Sequence, residues 1–368
     1  MTRSVAIIGS RGYPSYYGGF ETLVRELAPH LADSGWDVSV YGRPAAVVRS
    51  HEGIDDRVVS IETRGVESKA LSTLSYGLTS VVDSVRRVPD VALVLNVANG
   101  FWLPALKARR IPTLVNVDGI EWEREKWGKT AKSVFKGGAW MTAKFADRLV
   151  SDSKEIARRW EAEFSRSSEF IPYGGTVPTD RTMPLEFDGR PYVLMVARLV
   201  PENTIAEFFD AAELLSSKWD VAIVGSSGYG GELEARADSL ARSNDRVHWF
   251  GHLSDDAKLF SLWQNCATYF HGHSVGGTNP ALVQAMACGS AIVARDTVYN
   301  REVLAESALY TEPHSESIAF VIDGLMHSSV QQEALRKASK RRAVEHYSWS
   351  GVCARYESVL SELAVRTV

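Results

Sequence analysis

The stretch Val5-Ala-Ile-Ile-Gly-Ser-Arg-Gly-Tyr-Pro-Ser-Tyr-Tyr-Gly-Gly-Phe20-Glu-Thr-Leu-Val-Arg-Glu-Leu-Ala-Pro-His-Leu31 decides the fold. Its first four apolar residues read as a short buried strand. A glycine-rich loop follows, and then Phe20, Leu23, Val24, Leu27, Ala28 and Leu31 recur at helical spacing. Val38-Ser-Val-Tyr41 supplies a second strand, which makes residues 5–41 a βαβ unit with parallel strands. Working outward, residues 57–61, 91–95, 113–117, 148–150 and 169–171 are further strand candidates, most of them separated by helical patterns. That alternation predicts an α/β fold with a doubly wound parallel sheet.

The pattern restarts after Pro172-Tyr-Gly-Gly-Thr-Val-Pro178, a Pro/Gly segment suited to a linker. Residues 192–196, 221–224, 247–250, 268–270 and 291–293 read as the strands of a second lobe, with helical patterns at 203–216, 230–242, 255–264 and 279–287. Both lobes look Rossmann-like. Ligands of such sheets sit beyond the carboxyl ends of the strands, so a cleft between the lobes is the expected active site.

Composition bounds the function. A chain of 368 residues, 45% hydrophobic and 23% charged, is an average globular protein able to bury two cores. Its three cysteines, Cys266, Cys288 and Cys353, form no C-x-x-C pair, which argues against a disulfide framework or zinc site and for a reducing cytoplasm. The amino-terminal apolar run is too short for a signal peptide, and no stretch approaches the length of a membrane span. Residues 1–175 carry 24 Lys+Arg against 21 Asp+Glu, and the remainder 17 against 24. So mild an asymmetry does not indicate a nucleic-acid binder, whose basic faces are usually concentrated.

The chemistry concentrates in three loops. His271-Gly-His-Ser-Val-Gly-Gly-Thr-Asn-Pro280-Ala-Leu-Val-Gln284-Ala-Met-Ala-Cys-Gly289 runs from a strand through glycines into a helix. Thr278 or Asn279 suits the N-cap, Pro280 the first helical position and Gly289 the C-terminal cap. Backbone N–H groups at such a helix start favour a phosphate, and Gly276 and Gly277 permit its close approach; a tight turn alone also explains the glycines. The opening loop carries Arg11 and ends in Gly18 and Gly19 at a helix start, without the G-x-G-x-x-G of a nicotinamide site or the G-x-x-x-x-G-K-[ST] of a nucleotidase. Arg198, just after a strand in Val196-Ala-Arg198-Leu-Val-Pro-Glu-Asn203, is placed to pair with a diphosphate, although a surface position is the commoner meaning of such a residue.

These segments together resemble the family-4 retaining glycosyltransferases of the GT-B type, and within them a branch containing bacterial rhamnosyltransferases of capsule and cell-wall polysaccharide synthesis. The resemblance rests on residues 11–22, on Asn116-Val-Asp-Gly-Ile-Glu-Trp122, on Val200-Pro-Glu-Asn203 and on His271-Gly-His-Ser-Val-Gly-Gly-Thr-Asn-Pro280. Ile171-Pro-Tyr-Gly174 is similar to the interdomain strand ending of the wider family, and His346-Tyr-Ser-Trp349 to its terminal segment. It implies an acceptor-side Rossmann-like domain over residues 1–175, a nucleotide-sugar domain over 176–345, and a terminal helix over 346–368 that crosses back to the first domain. The implied donor-binding set is Gly18, Gly19, Arg198, Asn203, Gly276, Gly277, Thr278, Asn279 and Gln284. Gly276 and Gln284 stand where the wider family has two glutamates, the later one contacting the nucleotide ribose, and Asn203 stands near the place of a lysine.

Asp118 and Glu121 follow a strand where the family places a residue beside the reacting sugar, and they are the catalytic candidates; capping of the next helix is the other reading of Asp118. No Asp-x-Asp occurs, which fits a reaction without a metal or other cofactor. On the acceptor or membrane side stand Arg11, Tyr16 and the stripe Lys132, Lys136, Trp140 and Lys144, with Val134, Gly138, Met141 and Phe145 on a packing face. A Trp among lysines suits an anionic membrane surface, and a solvated charged face is the alternative. The implied activity is transfer of L-rhamnose from dTDP-L-rhamnose, with retention, to a saccharide or polyprenyl-linked saccharide. The enzyme would be cytoplasmic, or peripheral on the inner face of the cell membrane. A UDP-hexose or UDP-N-acetylhexosamine donor, a nucleotide-sugar epimerase, and a catalytically weak relative acting as a partner protein are the alternatives.

Overall fold

The computed structural model describes residues 2–15, 18–44, 54–67, 72–124, 127–180, 182–228 and 230–365. The chain forms two compact units, one of Met1–Tyr173 with Trp349–Val368, the other of Gly174–Ser348. In the first, β1 (Arg3–Ile8), β2 (Trp36–Gly42), β3 (Val58–Glu62), β4 (Val91–Leu95), β5 (Thr113–Asn116), β6 (Arg148–Ser151) and β7 (Glu169–Phe170) make one parallel sheet. Its strand order is β3-β2-β1-β4-β5-β6-β7. The helices are α1 (Gly19–Asp33), α2 (Ser72–Arg87), α3 (Leu103–Ala108), α4 (Lys129–Phe145) and α5 (Lys154–Phe164).

The second unit repeats the scheme. Strands β8 (Tyr192–Val196), β9 (Asp220–Val224), β10 (Val247–Trp249), β11 (Thr268–His271), β12 (Ile292–Arg295) and β13 (Ala308–Thr311) are parallel, in the order β10-β9-β8-β11-β12-β13. They alternate with α6 (Ile205–Leu215), α7 (Glu232–Ser243), α8 (Asp256–Asn265), α9 (Pro280–Ala287), α10 (Val298–Leu304), α11 (Ser315–Met326) and α12 (Ser329–His346). The last helix, α13 (Trp349–Val365), packs on α1, β4 and β5 of the first unit.

Central strands covered on both faces read as unbroken apolar runs rather than as alternation, and every residue of β4 and β9 is buried. Two sheets of this kind are the α/β, GT-B-like architecture that the sequence predicts. The structure adds β13, α10, α11 and α12, which the reading to residue 293 does not reach. The helix at 203–216 proves shorter: Pro201–Asn203 is a 3-10 turn before α6.

In each sheet the order reverses once, between β1 and β4 and between β8 and β11. Doubly wound sheets open their ligand crevice at such a reversal, beyond the carboxyl ends of the two strands. Behind the second reversal the rings of Phe208 (α6) and Phe270 (β11) stack at 4.9 Å, both fully buried. Such a pair contributes about 0.5–1.5 kcal/mol beyond its buried area, and it seats α6 against β11 just below the loops that follow.

Candidate active site

The loops leaving β8 and β11 are joined directly. Ser274 donates both its N–H (3.0 Å) and its hydroxyl (2.8 Å) to the Glu202 carbonyl, and Thr204 Oγ1 donates to the Gly272 carbonyl at 2.5 Å. Thr204 holds a left-handed φ of 59° and accepts from Arg295 at 3.0 Å. Gly272 is required here, because a Cβ would lie 2.4 Å from the Asn203 carbonyl oxygen and 3.0 Å from Thr204 Cβ. Asn203, buried, donates Nδ2 to the Arg198 carbonyl at 2.8 Å, so its amide closes the turn that presents Arg198. Arg198 is exposed, and its guanidinium has no hydrogen-bond or ion-pair partner among the described residues.

Beyond Ser274, Gly276 takes a φ of 111°. The backbone N–H groups of Val275, Gly276 and Gly277 have no protein acceptor among the described residues. The start of α9 has the predicted cap and the predicted proline, but not the free N–H groups expected of it. Asn279 caps it, its Oδ1 accepting from Ala281 N (2.9 Å) and Leu282 N (3.3 Å), and Pro280 has no N–H to offer. The donors left for an anion are therefore those of the glycine loop, not those of the helix end. Thr278, the other cap candidate, is buried beside it.

Two residues here escaped the sequence reading. His271 is buried at the end of β11, its Nδ1 3.1 Å from Tyr269 Oη, and burial pushes its imidazole down to about 3. His273 stacks on it at 4.4 Å with the rings 8° from parallel, and Asn300 Nδ2 holds the His273 carbonyl at 3.0 Å. The signal was available: two histidines flank the glycine that closes a buried strand.

Gln284 lies elsewhere. Its Oε1 accepts the Thr176 N–H at 2.9 Å and its Nε2 donates to the Thr176 carbonyl at 2.7 Å. Gly175 beside it donates to the Tyr347 carbonyl at 2.8 Å, and a Cβ there would meet the Val283 carbonyl oxygen at 2.6 Å. Gln284 thus clamps the segment entering the second unit to α9, a partnership that the sequence reading, which expected a ribose contact, did not include. An amide suits this place because it donates and accepts at once, which an ionised carboxylate does not.

In the first unit, the Glu21 carboxylate of α1 accepts the Arg11 N–H at 3.0 Å and ties the opening loop to its helix. Gly18 precedes α1 without a side-chain cap, Gly19 begins it, and the Gly18 carbonyl accepts from Thr22 N at 3.0 Å. Tyr16 falls outside the described residues. Asp118, half-buried with a φ of 57°, donates its N–H to Asn116 Oδ1 at 2.9 Å. Near it stands Tyr173, whose phenol is raised well above its ordinary value by burial and then by the carboxylates of Asp118, Asp152 and Glu21. Glu121 requires a correction. It is buried, its Oε2 accepts from the Trp127 indole at 2.7 Å and its Oε1 pairs with Arg124 at 2.5 Å. With both oxygens occupied by its own segment, Glu121 holds that segment in place and is not presented as an acid or base.

On α4 the stripe is outward-facing, with Trp140 54% exposed and Lys144 Nζ 5.0 Å above its ring. Lys136 pairs with Glu163 at 3.0 Å, and Lys132 is half-buried. The packed face is Gly138, Ala139 and Thr142; a Cβ on Gly138 would meet the Val97 carbonyl oxygen at 2.5 Å. Of the predicted packing face only Gly138 is fully buried, while Val134, Met141 and Phe145 are half-exposed. Small residues win because the helix approaches backbone, not side chains.

Residues 177–342 match the model for glycosyl transferases group 1, and residues 2–176 match a domain of unknown function, DUF1972. A phosphatidyl-myo-inositol mannosyltransferase of Mycolicibacterium smegmatis is 30% identical, over 93% of this chain and 90% of its own length. Sucrose-phosphate synthase from Thermosynechococcus elongatus superposes with a TM-score of 0.78 at 16% identity, covering 99% of this chain and 100% of that one. HepE of Anabaena in complex with UDP and glucose gives 0.75 at 15%, covering 98% and 100%. At such identities the superpositions speak for the fold alone.

Proposed function

The chain belongs to the group 1 glycosyl transferases of the GT-B type, and from that membership we propose that it moves L-rhamnose from dTDP-L-rhamnose, with retention, onto a lipid-linked saccharide. The observation that carries the donor site is the pairing of an exposed Arg198 with the acceptor-less N–H groups of Val275, Gly276 and Gly277, at the reversal of a doubly wound sheet. Cationic and backbone N–H donors of this sort suit a diphosphate, above all when it departs. The acceptor hydroxyl oxygen forms a bond to the anomeric carbon as the bond from that carbon to the phosphate oxygen breaks. The departing phosphate takes the hydroxyl proton, so no metal or dedicated base is called for. Asp118 stands at the carboxyl end of β5 to orient the sugar or acceptor. The rhamnose assignment is supported by the resemblance of residues 11–22, 116–122, 200–203 and 271–280 to one branch of the family. The mannosyltransferase relative favours mannose as the second reading.

Membrane docking is part of the same proposal. No helix among the described residues is long and apolar enough to cross a membrane, and Trp140 with Lys132 and Lys144 on α4 offers an apolar-and-basic surface for anionic lipid instead. The test of donor and metal use is a thermal-shift series with dTDP-L-rhamnose and with UDP- and GDP-sugars, followed by transfer to a polyprenyl-linked saccharide in EDTA. A ligand that binds only the folded state raises the transition. Stabilisation by dTDP-L-rhamnose and turnover in EDTA are expected. Stabilisation by a UDP- or GDP-sugar alone would overturn the rhamnose assignment, and activity lost in EDTA and restored by magnesium would overturn the metal-free one.

A further inference from the structure

The helix that returns to the first unit reaches the Asp118 loop through one buried side chain. Tyr356, on α13, is 1% exposed, and so is Asn116, the last residue of β5. Asn116 Nδ2 donates to Tyr356 Oη at 2.7 Å, across 240 positions of sequence, while Asn116 Oδ1 accepts the Asp118 N–H at 2.9 Å. An amide has one donating and one accepting end. Turned over, it would set its NH2 against the Asp118 N–H, donor facing donor, and its oxygen against the buried Tyr356 hydroxyl. The Asp118 N–H bond is also what holds a non-glycine residue at a φ of 57°, a conformation that side chains other than Asn and Asp seldom adopt.

We propose that Tyr356 is a positioning residue for the reaction: through Asn116 it fixes the backbone of Asp118 and so the direction of the Asp118 carboxylate. The inference rests on Asp118 belonging to the reacting site. Burial, before any other cause, keeps the phenol protonated far above its ordinary value, so the Tyr356 hydroxyl stays a neutral hydrogen-bonding group at every working pH. Arg198 and the glycine loop, proposed to hold the diphosphate, belong to the other unit, so cutting this chain of contacts is expected to act on kcat more than on donor KM.

The experiment is a double-mutant cycle on kcat, with donor KM and the urea midpoint measured for every variant. Tyr356→Phe keeps the ring and its packing, and Asn116→Ala breaks the chain without touching α13. Each should lower kcat roughly tenfold while donor KM changes less than twofold, and neither should lower kcat further in an Asp118→Ala background. Wild-type kcat in Tyr356→Phe, with Asp118→Ala impaired, overturns the positioning role and leaves Asp118 standing. Wild-type kcat in Asp118→Ala overturns the reading of Asp118 itself. Losses that multiply in the double variants, or that track a fallen urea midpoint, show that Tyr356 acts through stability alone and also overturn the proposal.

Discussion

Substituting Gly272 by Ala sets packing against function at the loops proposed to hold the donor. The new Cβ would lie 2.4 Å from the Asn203 carbonyl oxygen, 2.9 Å from the Phe270 ring and 3.0 Å from Thr204 Cβ. An ordinary contact is about 3.4 Å, so the loops after β8 and β11 must part by roughly 1 Å, at an overpacking cost of about 1–3 kcal/mol. Parting them strains the Thr204–Gly272 and Ser274–Glu202 hydrogen bonds, about 1 kcal/mol each when lost. The expected loss of unfolding free energy is about 2–4 kcal/mol in urea. Displacing the turn that carries Arg198 by that distance should also weaken nucleotide-sugar binding roughly 10- to 100-fold by calorimetry. Gly324→Ala, in α11 with nothing within 4 Å of its Cβ, is the control and should stabilise by about 0.5–1 kcal/mol. A Gly272→Ala protein as stable and as tightly bound to donor as wild type would refute the joined-loop account.

Other perturbations test other parts. The His271 imidazole is lowered to about 3 by burial, against about 6.5 unfolded. The unfolded chain therefore binds the extra proton between those values, and stability falls as pH drops below about 6.5, by about 1.4 kcal/mol per unit from this group. Urea midpoints between pH 4 and 7 should flatten in His271→Asn, and an unchanged slope would sink the assignment. Gln284→Glu keeps the Thr176 N–H bond but opposes a carboxylate to the Thr176 carbonyl, so unfolding should ease by about 1–2 kcal/mol at neutral pH; equal or greater stability would contradict the clamp. The wild type should cosediment with anionic vesicles at low salt and be released by high salt. Lys132→Glu with Lys144→Glu should abolish the binding, each lysine contributing about 1 kcal/mol; indifference of the wild type to such vesicles would make the stripe a solvated face.

What the sequence shows and what it hides divide on physical lines. Strands such as Val91–Leu95 and Asp220–Val224 are buried on both faces, and their apolar content alone marks most of them. Helix α12 shows the opposite: only Leu335, Ser339 and Ala343 are buried, and a stripe that narrow in a polar helix leaves little periodicity to read. Arg198 and the glycine loop are placed by local order alone, since strand, loop and helix set them beyond the carboxyl ends of β8 and β11. The Gln284 and Asn116 partnerships are not, since their partners lie 108 and 240 positions away. Nor does sequence foretell that Glu121 is held by Trp127 and Arg124, because a carboxylate after a strand reads the same whether presented or enclosed.

The central claim is that a nucleotide diphosphate sugar is held by Arg198 together with the loop of Gly276 and Gly277. Calorimetric titration of the wild type and of Arg198→Ala with the donor identified by thermal shift tests it most directly. Because the Arg198 side chain has no partner among the described residues, its removal should leave the urea midpoint unchanged. Its loss from a diphosphate should cost about 2–4 kcal/mol, a weakening of roughly 30- to 800-fold. Wild-type affinity in Arg198→Ala would contradict the account and leave Arg198 a surface residue.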